Sequence, residues 1–120
     1  MILLYARIEI FNTKLPIYVD GFIEPTLTRY YIKLEDFMQV INFSCRQIIL
    51  DRFAYSPEMR ESDLTKIYTR SKTGRVYRTW YLTIDGAITL AKLIPVKVRT
   101  YMLVYRLEEF KSAIIAQKKL

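Results

Sequence analysis

The chain has no histidine and one cysteine, Cys45, in 120 residues. Without histidine there is no Ser-His-Asp triad, no Cys-His dyad and no His-ligated zinc. A single cysteine forms neither an internal disulfide nor a metal cluster, which fits a reducing compartment. The three glycines, Gly21, Gly74 and Gly86, lie too far apart to cradle a phosphate, and with only four prolines there is no room for long linkers or low-complexity tracts. No internal repeat is present. The apolar opening MILLYARIEI breaks at Arg7, lacks a basic leader and a small-residue cleavage site, and is too short to cross a bilayer. These absences predict a cytosolic protein, in a cell or a virus-infected cell, without membrane association. The adjacent carboxylates Glu35-Asp36 and Glu108-Glu109 read as helix surface. No catalytic residue, cofactor or metal is expected, and the chain is read as a non-enzyme.

What is present is ordinary for one folded domain spanning residues 1–120: 52% hydrophobic and 26% charged residues. The unusual property is the charge. Nineteen Lys and Arg against twelve Asp and Glu give a formal net charge of +7. Such a balance favours polyanionic partners, whether nucleic acid, an acidic protein face or anionic lipid.

Residues 1–32 carry strand patterns. In LLYARIEIF, Arg7 and Glu9 share one face while Ala6, Ile8 and Ile10 share the other. Asn12-Thr13 is the expected turn, and KLPIYVDGFI is a second strand in which Pro16 marks an edge or a late start. Asp20-Gly21 is a further turn signal, and TLTRYYIKL reads as a third strand. From Leu34 the period changes. Leu34, Phe37, Met38 and Ile41 form a helical stripe, with Glu35 and Asp36 in the first turn. Asn42 ends that helix in a left-handed conformation, and Ser44 caps a second helix whose Ile48 and Ile49 face the core.

Residues 34–53 thus have helix-turn-helix spacing: turn-tolerant Asn42, apolar Phe43, Ser44, then the outward positions Cys45, Arg46 and Gln47. Met38, where a small residue is usual, and Asp51, where an apolar one would help, depart from it. Two packed helices without a DNA role are the plain structural alternative.

After a polar loop over residues 55–63, TKIYTR and RVYRTWYL flank SKTG as a β-hairpin over residues 65–82, with Gly74 supplying the positive φ of the loop. Lys66, Arg70, Lys72, Arg75 and Arg78 all lie on it, without one acid. Alternation puts Arg75, Tyr77 and Thr79 on one face and Val76, Arg78 and Trp80 on the other. Thr83 caps a helix beginning at Ile84, with Asp85 in its first turn and Pro95 as its stop. The segment over residues 84–118 closes with a long helix, where Leu103, Leu107, Phe110 and Ile114 form a stripe that Val98, Met102 and Tyr105 widen. A face that broad predicts burial against the sheet or a homodimer through this C-terminal helix. The expected fold class is α+β: N-terminal strands, a winged helix-turn-helix-like centre of two helices plus the basic hairpin, and a long C-terminal helix.

The run Gly74, Arg75, Tyr81, Leu82, Thr83, Asp85, Gly86, followed by Tyr105 and Phe110, resembles the phage regulatory protein family Rha. More loosely, it is similar to the KilA-N and Bro-N antirepressor-type domains. The likeness covers about residues 34–112. It implies a phage or prophage regulator that binds DNA or counters a host regulator.

The reading drawn from these residues is a small viral, phage-type DNA-binding regulator of transcription. Arg46 and Gln47 would present to base edges. Ser44, Arg70, Lys72, Arg75 and Arg78 would meet phosphate. The alternatives are a virus-encoded inhibitor of a host defence or transcription factor, for which ten tyrosines and a tryptophan suit an interface, and a virion or assembly protein. A hairpin edge kept soluble by its cations explains the charge with no partner at all.

Overall fold

A computed structural model of the chain describes residues 2–20, 30–44, 46–94 and 97–118. Five antiparallel strands form one sheet: β1 (Ile2–Ile10), β2 (Thr13–Asp20), β3 (Tyr30–Lys33), β4 (Leu64–Arg70) and β5 (Val76–Thr83), in the order β1-β2-β3-β5-β4. The N-terminal strands and the basic hairpin are therefore parts of one sheet, with β3 pairing β5 through Tyr31–Thr83, Ile32–Leu82 and Lys33–Tyr81. The helices are α1 (Leu34–Ile41), α2 (Arg46–Ile48), α3 (Ile84–Leu93) and α4 (Lys97–Lys118).

The β1–β2 turn is Phe11-Asn12, one residue earlier than the sequence suggested, with φ of 52° and 63°. Two successive positive φ values match the twist of a two-residue hairpin. Phenylalanine is rare in that conformation; here the Arg99 guanidinium lies over its ring, 5.0 Å from the centroid. Pro16 sits inside β2, but β3 pairs only Tyr18 and Val19, so the missing amide hydrogen faces a locally unpaired flank. The Asp20-Gly21 turn, residues 26–29 of the expected third strand, and Pro95 lie outside the described residues.

One sheet face carries the core. Leu15 and Ile17 of β2, Ile32 of β3 and Leu82 of β5 are fully buried against Leu34, Phe37 and Ile41 of α1, Leu90 of α3, and Leu103 and Leu107 of α4. α1 ends as its sequence predicts. Asn42 has φ 58°, and the Phe43 amide donates to the Met38 carbonyl at 3.0 Å, closing the helix with a left-handed cap.

The C-terminal helix buries a narrower stripe than expected. Leu103, Leu107 and Ile114 are buried, with Phe110 packed beside them, whereas Met102 is 41% and Tyr105 59% exposed. A straight helix laid across a sheet buries one stripe along its length, and residues 102 and 105 lie off that stripe. Arg99 ties α4 to the Val40 carbonyl at 3.1 Å, and Lys111 pairs with Asp85 of α3 at 2.8 Å.

Candidate nucleic-acid interface

The second helix differs most from its expected form. It makes one turn, Arg46–Ile48, and widens into a π turn over Ile49–Phe53, closed by the Ala54 amide on the Ile49 carbonyl at 2.9 Å. The wider turn changes which side chains point inward. Ile49 is buried as predicted, but Ile48 is 42% exposed and not part of the core.

The proposed base-reading side chains are already engaged within the chain. Arg46 Nη1 reaches Glu35 Oε1 at 3.4 Å, bridging α1 and α2 across an exposed surface. Gln47 Nε2 donates to Asp51 Oδ1 at 2.7 Å. Ser44 is exposed and hydrogen-bonds to no described residue.

On the hairpin, β4 and β5 pair in unbroken register: Leu64–Leu82, Lys66–Trp80, Tyr68–Arg78 and Arg70–Val76 on one face, with Thr65–Tyr81, Ile67–Thr79 and Thr69–Tyr77 on the other. The first face is the helix side, since Leu82 lies in the core. Near Leu64 and Leu82 it is covered by helices. Towards the tip the strands outrun the helices, and Tyr68, Arg70, Val76 and Arg78 become exposed. The result is a bare two-column ladder in which Lys66, Arg70 and Arg78 alternate with Tyr68 and Trp80. Side chains on one face of a strand recur roughly every 6.8 Å. Lys66 Nζ stands over the Trp80 ring, 4.7 Å from its centroid.

At the tip the Ser71 amide donates to the Arg75 carbonyl at 2.8 Å and the Gly74 amide to the Ser71 carbonyl at 3.0 Å, with Gly74 at φ 84°. Lys72 is exposed on this loop. Arg75 lies with Tyr77, 5.9 Å from that ring's centroid, and so belongs to the opposite face from Arg70 and Arg78. The structure thus gathers Lys66, Arg70 and Arg78 but separates Arg75 from them.

Sequence reasoning named the cations and the alternation. It missed Trp80 and Tyr68 as partners of those cations, because pairing across the hairpin needs the register, which is set by the loop. It also missed the groove beneath. About 700 Å³ lies between the π turn, the loop after it and the base of the hairpin, with Gln47, Asp51, Tyr55, Arg60, Leu64 and Trp80 among its walls.

Elsewhere three described cations are paired with carboxylates: Arg46 with Glu35, Arg106 with Glu109 at 2.7 Å, and Lys111 with Asp85. Among the described residues, none of the five hairpin cations has a carboxylate partner. Also among the described residues, no group of three Cys, Asp or Glu is placed to hold a metal, and no helix is long and apolar enough to cross a membrane. No family model, no curated protein and no solved structure matches the chain.

Proposed function

We propose that this chain is a small nucleic-acid-binding regulatory protein that grips phosphate through the β4–β5 hairpin. The observation that carries the reading is the contrast in pairing. Three helical cations, Arg46, Arg106 and Lys111, are paired with carboxylates of the same chain, while five cations, Lys66, Arg70, Lys72, Arg75 and Arg78, lie on one hairpin and have no carboxylate partner among the described residues. Unpaired like charges repel one another and raise the local positive potential, a cost that a polyanion relieves by displacing its own counterions.

In the finer form of this reading, α1 and α2 are a helix-turn-helix, the hairpin is its wing, and the target is duplex DNA. The viral, phage-type setting rests on the resemblance of the hairpin and α3 sequence to the Rha family. The engagement of Arg46 by Glu35 and of Gln47 by Asp51 shifts the weight of binding from the helix to the wing. A base contact by either residue has first to break an internal bond, so backbone contact dominates over base readout.

Fluorescence anisotropy with labelled duplex DNA across a salt series tests the reading. Binding at low salt with a steep salt dependence is expected, and Arg70→Ala plus Arg78→Ala weakens it. Absence of binding at low salt, or binding indifferent to that pair, overturns it. In that event the exposed Tyr68 and Tyr77 beside unpaired arginines favour a protein partner, since Tyr and Arg are the side chains that anchor protein interfaces.

A further inference from the structure

We infer that the groove beneath the hairpin receives one unpaired nucleobase carrying an exocyclic amine, while the adjoining backbone lies on the Lys66-Arg70-Arg78 ladder. The inference rests on the nucleic-acid reading of the hairpin and adds to it a preference for unpaired over fully paired strands.

Four observations converge on the groove. First, it adjoins the cationic ladder directly, because Trp80 is both the last rung of the ladder and a wall of the groove. A strand held by Lys66 and Arg78 therefore passes its mouth. Second, its volume of about 700 Å³ lies in the range of small-molecule sites. Third, it offers a free aromatic ring. Tyr55 lines it and is 83% exposed, so both the packing surface and the access that a stacked base needs are present. Lys66 already covers one face of Trp80, so Tyr55 is the stacking surface and Trp80 the side wall. Fourth, its walls include two carboxylates that can accept from an amine, Asp51 and Glu61, beside the polar side chains of Gln47, Ser56 and Arg60. Asp51 Oδ1 is taken by Gln47, but its second carboxylate oxygen has no partner among the described residues, and the Glu61 carboxylate also lines the groove.

Adenine, cytosine and guanine each present an amine donor, whereas thymine does not. Two carboxylates, Asp51 and Glu61, against one cation, Arg60, leave the groove walls with a net negative charge that disfavours phosphate, so the groove suits a base more than the backbone; the ladder has the opposite preference. The π turn over Ile49–Phe53 builds this wall, placing Leu50, Asp51 and Ala54 on it, and π turns inside helices frequently occur at functional sites.

The single tryptophan makes the test direct: Trp80 belongs to both ladder and groove, so an emission change with oligo(dA) beyond that with the abasic strand reports the groove. The purified chain is titrated with single strands of about 12 nucleotides, a length within the usual footprint of such surfaces. The probes are oligo(dA), oligo(dT), an abasic strand of equal length, and a blunt duplex, all at one low salt concentration. Binding is followed by anisotropy and groove occupancy by Trp80 emission.

Oligo(dA) is expected to bind most tightly and to change Trp80 emission. The abasic strand and the duplex are expected to raise anisotropy without that change, and oligo(dT) to fall below oligo(dA). Tyr55→Ala, on a side chain too exposed to carry the fold, should weaken oligo(dA) roughly tenfold and leave the duplex unaffected, as loss of one stacked base predicts. Equal emission changes for oligo(dA) and oligo(dT), or none with either while anisotropy rises, overturn the groove and leave the hairpin reading standing. No anisotropy change with any probe overturns both.

Discussion

The two ends of the β4–β5 hairpin are built from the same pair of strands and obey opposite rules. At its base, Leu82 is fully buried and three hydrogen bonds link polar groups of four residues. Asp63 Oδ2 accepts from the Arg60 amide at 3.0 Å, its Oδ1 accepts from the Thr83 hydroxyl at 3.1 Å, and Thr83 Oγ1 accepts from the Gly86 amide at 3.0 Å. At its tip, Tyr68, Arg70, Val76, Tyr77 and Arg78 are exposed, and among the described residues the arginines have no carboxylate partner. The base joins the hairpin to α3 and serves folding. The tip contributes little burial and is free to carry charge. Burial and exposed charge therefore separate along the 7 residues of β4, and substitutions at the two ends should move different measurements.

The largest effect on stability is expected at Gly86. A Cβ there would stand 2.6 Å from the Asp63 carbonyl oxygen and 2.8 Å from its Cβ, with backbone on one side and a buried side chain on the other. Gly86→Ala should cost about 3 kcal/mol, the upper range for overpacking a filled site, measured by urea unfolding. A loss under half of that would mean that α3 shifts freely against the hairpin and that the base is no lock.

Gly86 also shows where sequence reading stopped. The Thr83 cap was legible because Ser and Thr before an apolar helical run have a local role, accepting from a backbone amide two or three residues on. The need for glycine three residues after the cap was not legible. It comes from Asp63, twenty-three positions earlier, and only the sheet brings the two together. The same division holds elsewhere. The α1 stripe, the left-handed Asn42 and the hairpin loop at Gly74 were readable because period and turn chemistry are local. The π turn that exposes Ile48, the pairing of Arg46 with Glu35, and the joining of β3 to β5 depend on interactions between distant segments. Of the candidate site, the hairpin cations and the placing of Arg75 opposite Arg78 and Trp80 were legible from alternation, but the cross-strand pairs Lys66–Trp80 and Tyr68–Arg78 follow from register.

Next in size is Asp63→Ala, expected to cost about 2 kcal/mol because the buried Thr83 hydroxyl and the Arg60 amide lose their acceptor together. Asp63→Asn keeps one acceptor oxygen and should recover part of the loss. Thermal unfolding of both variants checks the order. Equal stability of the two would show that the charge, and not the hydrogen-bond geometry, holds the base.

Removing charge from the tip should reverse the pattern. Arg70→Ala plus Arg78→Ala is expected to change unfolding free energy by no more than about 0.5 kcal/mol, as for exposed positions away from packed or bonded groups. The same pair should lower the log-log salt slope of DNA binding by about two, one for each phosphate no longer neutralised. A stability loss comparable to that of Gly86→Ala would contradict the division between the ends and assign the arginines to the fold.

The smallest expected effect is a pH dependence at the base. Asp36, in the first turn of α1, is half-buried beside Lys33 and Tyr81. Burial pushes its carboxyl above the ordinary 3.8, Lys33 pulls it part of the way back, and Glu35 adds to the rise. Burial likewise raises the Tyr81 hydroxyl, with Lys33 opposing. Because the folded form of Asp36 holds its proton more tightly than the unfolded form, the folded state carries more protons in the window between the two values. Stability must therefore fall as pH rises through that window and stay lower above it. Asp36→Asn removes the titration. The variant should equal or slightly exceed the parent in Tm at neutral pH, the margin being narrowed by the loss of a favourable charge at the start of α1. Relative to neutral pH, the parent should gain on the variant as pH falls through that window, the gain being complete below about 3.8, where both carry a neutral side chain. A parent whose advantage instead grows towards neutral pH would mean that Lys33 and the helix dipole outweigh burial. The base of the hairpin would then owe part of its stability to charge, and the contrast between the two ends would narrow towards one of exposure.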